Sequence, residues 1–218
     1  MSENIRVFIG TEPKQARAEH VLRYSIYRNT NSPVSVYMMR NGEDPFDGWA
    51  NHGPTGFTLY RFAIPELCDF NGYAIYLDCD MLVLGDIAEL WELRKPGKWV
   101  CHKNREGDCV SVIDCRAMRG LIPTMSQLRQ GALRKWDVRQ KLAPVYERSL
   151  PDAWNDLDQL RNTTKLLHFT SLEMQPWHPE EGREYKPHTD PMAVGLWEEY
   201  ERMMLDTHFT NRDARHAD

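Results

Sequence analysis

No run of about 18 apolar residues, the length a membrane-crossing helix needs, occurs in this chain of 218. Residues 1–6 lack the basic start and apolar stretch of a secretory signal, so the expectation is a soluble, cytoplasmic protein. Excess positive charge is also missing: 27 Lys and Arg stand against 32 Asp and Glu, a formal charge of −5. That balance gives no footprint for gripping a nucleic-acid backbone, and an anionic substrate would have to be met by a metal or a few placed cations. There is no Cys-x-x-Cys pair. The odd set Cys68, Cys79, Cys101, Cys109 and Cys115 indicates neither a disulfide framework nor a zinc ribbon, and reads as small buried hydrophobes. Internal repeats, low-complexity tracts and linkers are absent as well. The length then fits one domain, taken as residues 1–205, with 206–218 a short frayed tail.

What is present alternates between two periods. Ile5-Arg6-Val7-Phe8-Ile9-Gly10 is a β-rich run, and Ala18, Val21, Leu22, Ser25 and Ile26 then space like one face of a helix. Val34-Ser35-Val36-Tyr37-Met38-Met39 is a second strand ending in a turn signal. The β-α-β order predicts parallel pairing. Residues 41–56, rich in Gly, Asp, Asn and Pro, read as a long mobile surface loop. A helix is expected from Phe57 until Pro65, then one extended segment over residues 73–84. Asp86 is placed to cap a short helix over 87–91, and strands are expected at 98–102 and 109–114. Residues 117–148 predict two or three short helices broken at Pro123 and Pro144. A last strand at 165–169 and an amphipathic helix at 191–204 complete an α/β pattern.

The extended segment carries the chemistry. Five of the six residues before Asp78 are apolar or aromatic, as a strand covered on both faces requires. Asp78 therefore sits where the chain leaves the sheet at its carboxyl edge, the place where open α/β sheets bind ligands. On extended backbone Asp78 and Asp80 point the same way while Cys79 turns back to the core. Two facing carboxylates repel unless a cation lies between them, and Mg2+ or Mn2+, which take oxygen ligands and substrate phosphates, fit that place. The alternative is that one Asp caps a turn and the other is a solvated loop carboxylate.

The wider context is Phe57-Thr58-Leu59-Tyr60-Arg61-Phe62-Ala63-Ile64-Pro65-Glu66-Leu67, then the run from Tyr76 through Asp78-Cys79-Asp80 to Gly85-Asp86-Ile87-Ala88-Glu89-Leu90-Trp91. With the opening Val7-Phe8-Ile9-Gly10-Thr11-Glu12 and the late Leu166-Leu167-His168-Phe169-Thr170, it closely resembles the family 8 glycosyltransferases. The resemblance implies a single GT-A domain, with a mixed, mostly parallel central sheet flanked by helices. It implies a metal-dependent, retaining transfer of a hexose from a nucleoside diphosphate sugar, most often a UDP-sugar, to a glycan or other hydroxyl acceptor. The metal ligands it implies are Asp78, Asp80 and His168, which suit Mn2+ somewhat better than Mg2+. The donor-contacting residues it implies are Gly10, Thr11, Glu12, Arg61, Asp78 and Gln175.

The sequence also departs from that family. Gln175 stands where a lysine contacts the diphosphate, which leaves Arg61 as the better cation for that role, unless it is a surface arginine on an amphipathic helix. Asp108-Cys109-Val110 replaces Asn-Ser-Gly, and the usual Asp-Gln pair is not recognisable. Asp108, as stand-in for the sugar-contacting Asn, and Asp137 and Asp156, by chain order, are the candidate catalytic groups. His178 and His188 are read as loop residues, and the oligomeric state, a homodimer included, is left open. Three other classes compete. A haloacid-dehalogenase-type phosphatase would place its Asp-x-Asp on the first strand. A nucleotidyltransferase would carry a Gly-rich basic loop where this chain has Gly10-Thr11-Glu12-Pro13-Lys14. A sugar-nucleotide-binding protein without turnover would keep the metal site alone.

Overall fold

The computed structural model describes residues 3–49, 55–104, 107–178 and 181–213. The first strand, β1 (Ile5–Thr11), is followed by α1 (Ala16–Arg28) and β2 (Val34–Arg40). β2 pairs parallel to β1, as the β-α-β order requires. The loop from 41 to 56 departs from expectation where it is described: Phe46 and Trp49 are buried and pack against Tyr60, so its first half belongs to the core. Residues 50–54 lie outside the described residues.

The segment from Phe57 is a 3-10 turn over Tyr60–Ala63 that passes into α2 (Ile64–Leu67). Pro65 stands in the first turn of α2 rather than ending a helix, since the first turn needs no N–H from it. The run over 73–84, read as one strand, divides at the carboxylate pair into β3 (Tyr73–Asp78) and β4 (Met81–Val83). The short helix α3 (Ile87–Trp91) starts on Asp86, whose side chain accepts from the Ala88 N–H. Then come β5 (Trp99–Cys101), β6 (Val110–Asp114), α4 (Met125–Arg129), α5 (Lys135–Leu142) and β7 (Tyr146–Arg148). The chain closes with β8 (Asp156–Leu157), β9 (Leu166–His168) and α6 (Pro191–Asp213). α6 runs on past residue 206, so the tail expected there is helical to Asp213; residues 214–218 lie outside the described residues.

The larger sheet has the order β2-β1-β3-β6-β5-β7 and the smaller one β4-β9-β8. In the larger, β1 is parallel to β2 and β3, β5 is parallel to β7, and β6 is antiparallel to both β3 and β5. This is a mixed, mostly parallel sheet with flanking helices. Its centre is buried on both faces: Val7, Ile9, Ile75, Leu77, Val110 and Val112 lie on one, and Phe8, Ala74, Tyr76 and Ile113 on the other. A second apolar cluster joins Ala18 and Val21 of α1 to Leu82, Leu167, Phe169, Trp177 and Trp197, fastening α6 over the smaller sheet. The chain passes from one sheet to the other at Cys79 and Asp80, so the expected metal site lies on the seam between them.

Candidate metal centre

Asp78 ends β3 opposite Gly10 of β1. Two groups fix its carboxylate: Arg61 Nη2 donates to Oδ1 at 2.8 Å and the Tyr76 phenol donates to the same oxygen, while the Arg61 guanidinium lies over the Tyr76 ring at 4.6 Å. Burial, together with Asp78, pushes the Tyr76 phenol well up, so it keeps its proton and remains a donor. A Cβ at Gly10 would collide with the Tyr76 phenol and come within 2.8 Å of Phe57 Cδ2, which explains glycine at that strand end.

Asp80 lies just beyond, where β4 begins. Its backbone carbonyl accepts from the Phe169 N–H at 2.9 Å, and Gln175 Nε2 donates to Oδ2 at 3.3 Å while also holding the Phe169 carbonyl at 2.9 Å. Asp80 Oδ1 is buried without a hydrogen-bond partner, 3.3 Å from His168 Nε2. His168, on β9 opposite Met81, has its Nδ1 3.0 Å from Asn155 Oδ1. In that pairing Nδ1 carries the proton and Nε2 presents its lone pair, the arrangement typical of a metal-binding histidine. Burial works against a charged His168, but Asp80 and Asp78 outweigh it and raise its pKa. Asp158 holds the strand end from outside: its N–H donates to the His168 carbonyl at 2.9 Å and its Oδ1 accepts from the Thr170 N–H at 2.8 Å.

His168 is thus within reach of both carboxylates. One ligand atom each of Asp78, His168 and Cys109 falls within 4.8 Å of the other two. Cys109 was read from sequence as a buried hydrophobe, and only the pairing of β6 with β3 brings it beside Asp78. Burial pushes its thiol well up. A buried carboxylate oxygen of Asp80 beside the His168 imidazole suits a divalent cation, while the three-residue group close enough to share one ion, among the described residues, is Asp78, His168 and Cys109, without Asp80.

The remaining candidates are engaged elsewhere. Arg61 is neither a surface arginine nor a projecting cation: its side chain is 2% exposed, and Nη1 donates to the Asp108 carbonyl at 2.8 Å and to Asp108 Oδ1 at 3.0 Å. Asp108, also buried, additionally receives Lys135 at 3.0 Å and Arg139 Nε at 2.7 Å. Burial alone would raise the Asp108 carboxyl, but Arg61, Arg139 and Lys135 hold it well below the ordinary range. Asp137 accepts the Arg134 N–H at the start of α5, and Asp156 binds Arg161 and the Thr164 hydroxyl; both carboxylates support local structure. Thr11 donates to buried Glu19, and Glu12 Oε2 accepts the Gly56 N–H at 3.1 Å, tying the β1 end to the following loop. His178 and His188 are both loop residues, His178 beside Tyr185 and His188 with its side chain 2% exposed and packed edge-on to Phe169.

Comparison with solved structures identifies the fold. The glycosyltransferase GlyE of Streptococcus pneumoniae TIGR4 superposes with a TM-score of 0.64 at 17% identity, over 97% of this chain and 64% of that one. The galactosyltransferase LgtC, solved in complex with donor and acceptor sugar analogs, gives 0.65 at 13% identity, over 92% of this chain and 96% of that one. At such identities the likeness establishes the fold, which is that of the GT-A glycosyltransferases. The sequence narrows this further. Residues 50–111, which include Arg61, Asp78, Asp80, Asp108 and Cys109 and stop short of His168, match the model described as Glycosyl transferase family 8. Protein CDI of Arabidopsis thaliana is 34% identical over 93 residues, 40% of this chain and 36% of that protein. The chain therefore aligns with about a third of its curated relative and spans just under two thirds of GlyE.

Proposed function

We propose that this protein transfers a hexose from a nucleoside diphosphate sugar, a UDP-sugar in the first instance, to a hydroxyl acceptor with retention, using Mn2+ or Mg2+ held by Asp78, Asp80 and His168. The observation that carries the reading is the buried pairing of Asp80 Oδ1, which has no other hydrogen-bond partner, with His168 Nε2 at 3.3 Å. When bound, the ion supplies Lewis-acid neutralisation of the departing diphosphate.

The protein's own groups provide orientation. Asn155 keeps the His168 lone pair aimed inward, Arg61 and Tyr76 fix one oxygen of Asp78, and Gln175 fixes one oxygen of Asp80. In this reading Gly10, Thr11 and Glu12 form the base-binding end of β1. Arg61 serves the diphosphate through Asp78, because its guanidinium is already committed to two carboxylates. The partly exposed cations of the same cluster are Lys135 and Arg139, and these are assigned to the donor side. Asp137 and Asp156 are given no proton-transfer role. Proton removal from the acceptor is left to the leaving phosphate.

Incubation with a panel of UDP- and GDP-hexoses, with and without Mn2+, tests the proposal. Slow metal-dependent release of sugar is expected, and Asp80→Ala is expected to abolish both release and metal-dependent donor binding. Unchanged metal-dependent binding in Asp80→Ala would overturn the site. Tight binding with no turnover, even with acceptors present, would instead indicate a sugar-nucleotide-binding protein.

A further inference from the structure

Cys109 closes the 3-10 turn Gly107–Cys109 that leads into β6. Because Val110 of β6 stands opposite Leu77 of antiparallel β3, the next position back along β6, Cys109, comes beside the next position forward along β3, Asp78. His168 reaches the same point from the smaller sheet. Among the described residues, these three form the group of His, Cys and carboxylate ligands able to share an ion, and Cys68, Cys79, Cys101 and Cys115 join no such group.

Ligand atoms that all lie within 4.8 Å of one another are close enough to share one ion with metal bonds of about 2.0–2.3 Å. Arg61 Nη1, 3.6 Å from Cys109 Sγ, places a fixed positive charge where a thiolate would develop. A thiolate is a soft ligand, and with imidazole and carboxylate it makes a donor set characteristic of Zn2+ rather than of the hard ions Mg2+ and Mn2+.

We propose that Cys109 supplies a thiolate to the ion held by Asp78 and His168, which widens the preference for Zn2+ and Co2+ over Mn2+ and Mg2+ beyond the ordinary order for nitrogen and oxygen ligands. This rests on the ion site proposed above and refines which ion it prefers. Binding exchanges one proton for one bond: the Cys109 S–H breaks, the sulfur's electron pair passes to the metal, and the proton leaves to solvent.

Titration of the reduced, metal-free protein with Co2+, followed by absorption, and with Zn2+ and Mn2+, followed by calorimetry in two buffers, tests this. A near-ultraviolet sulfur-to-cobalt charge-transfer band is expected in the wild type and in Cys68→Ser, and not in Cys109→Ser or Cys109→Ala. The preference for Zn2+ over Mn2+ is expected to fall by about 10-fold or more in Cys109→Ser, with Mn2+ affinity little changed. Zn2+ binding is expected to release about one proton more in the wild type than in that variant. A wild type that binds Mn2+ but shows no charge-transfer band, or a band that survives in both Cys109 variants, overturns the Cys109 assignment alone. A wild type that binds none of the three ions overturns the ion site as well.

Discussion

Gly10 and Asp108 show how single side chains hold this centre. A methyl group at position 10 would drive the Tyr76 phenol away from Asp78, and the crowding is closed in by Phe57. Gly10→Ala is therefore expected to destabilise by about 1–3 kcal/mol, the usual effect of overpacking, and to weaken Mn2+ binding with it. Urea denaturation and calorimetric titration of one sample read both. Asp108 is the common partner of Arg61, Lys135 and Arg139. Asp108→Asn leaves a buried guanidinium short of a counter-charge, and a loss of about 3 kcal/mol is expected. The pH dependence has a definite sign. The folded carboxyl lies below its ordinary value of 3.8, so its stabilisation is complete above that value and is lost as pH falls towards the folded pKa. The difference between wild-type and Asp108→Asn urea midpoints should therefore be largest near about pH 6 and shrink by about pH 3.

The elements were readable in the sequence where local chemistry dictated them and obscure where pairing did. Asp86 announced α3 by its residue type and place, and it caps the helix while also accepting the Thr30 hydroxyl at 2.6 Å. Asp86→Ala should cost about 1 kcal/mol, readable as a lowered melting midpoint, with the β3 register and ion binding unaffected. By contrast β7 and β8, strands of three and two residues, carry too little pattern to announce themselves and exist because β5 and β9 offer them a ladder. The run over 73–84 looked continuous because β3 and β4 are equally apolar; what divides them is that they pair with different partners, β6 and β9. That division puts Asp80 on the seam.

Two sheets and a terminal helix have to agree before the centre exists. Trp197 of α6 packs on Trp177 with ring centroids 5.3 Å apart, Trp177 packs on Phe169 at 5.6 Å, and Phe169 follows His168 directly. Trp177 Nε1 also donates to Gln15 after β1 at 2.6 Å, closing the circuit back to the larger sheet. Trp197→Ala is expected to cost about 3–5 kcal/mol and, unlike Asp86→Ala, to lower ion affinity, because it loosens the layer behind His168. Thermal melting with and without Mn2+ separates the two effects: an ion at 100 times its dissociation constant adds about 2.7 kcal/mol to the wild type, and less is expected in the variant.

The sequence by itself determined the α/β order, the parallel opening and the Asp78-Cys79-Asp80 edge, because each depends on short-range periodicity or on a motif contiguous in the chain, whereas His168 is named through the family resemblance alone. Tertiary structure alone decided that Arg61 is a buried clamp on Asp78 and Asp108, that Asp137 and Asp156 serve a helix start and a loop, and that Cys109 stands beside Asp78 and His168. Those outcomes depend on which strands lie side by side and on where each buried charge finds its partner. Neither is encoded within any one segment: Arg61 and Asp108 are 47 positions apart, and Asp78 and His168 meet across two sheets.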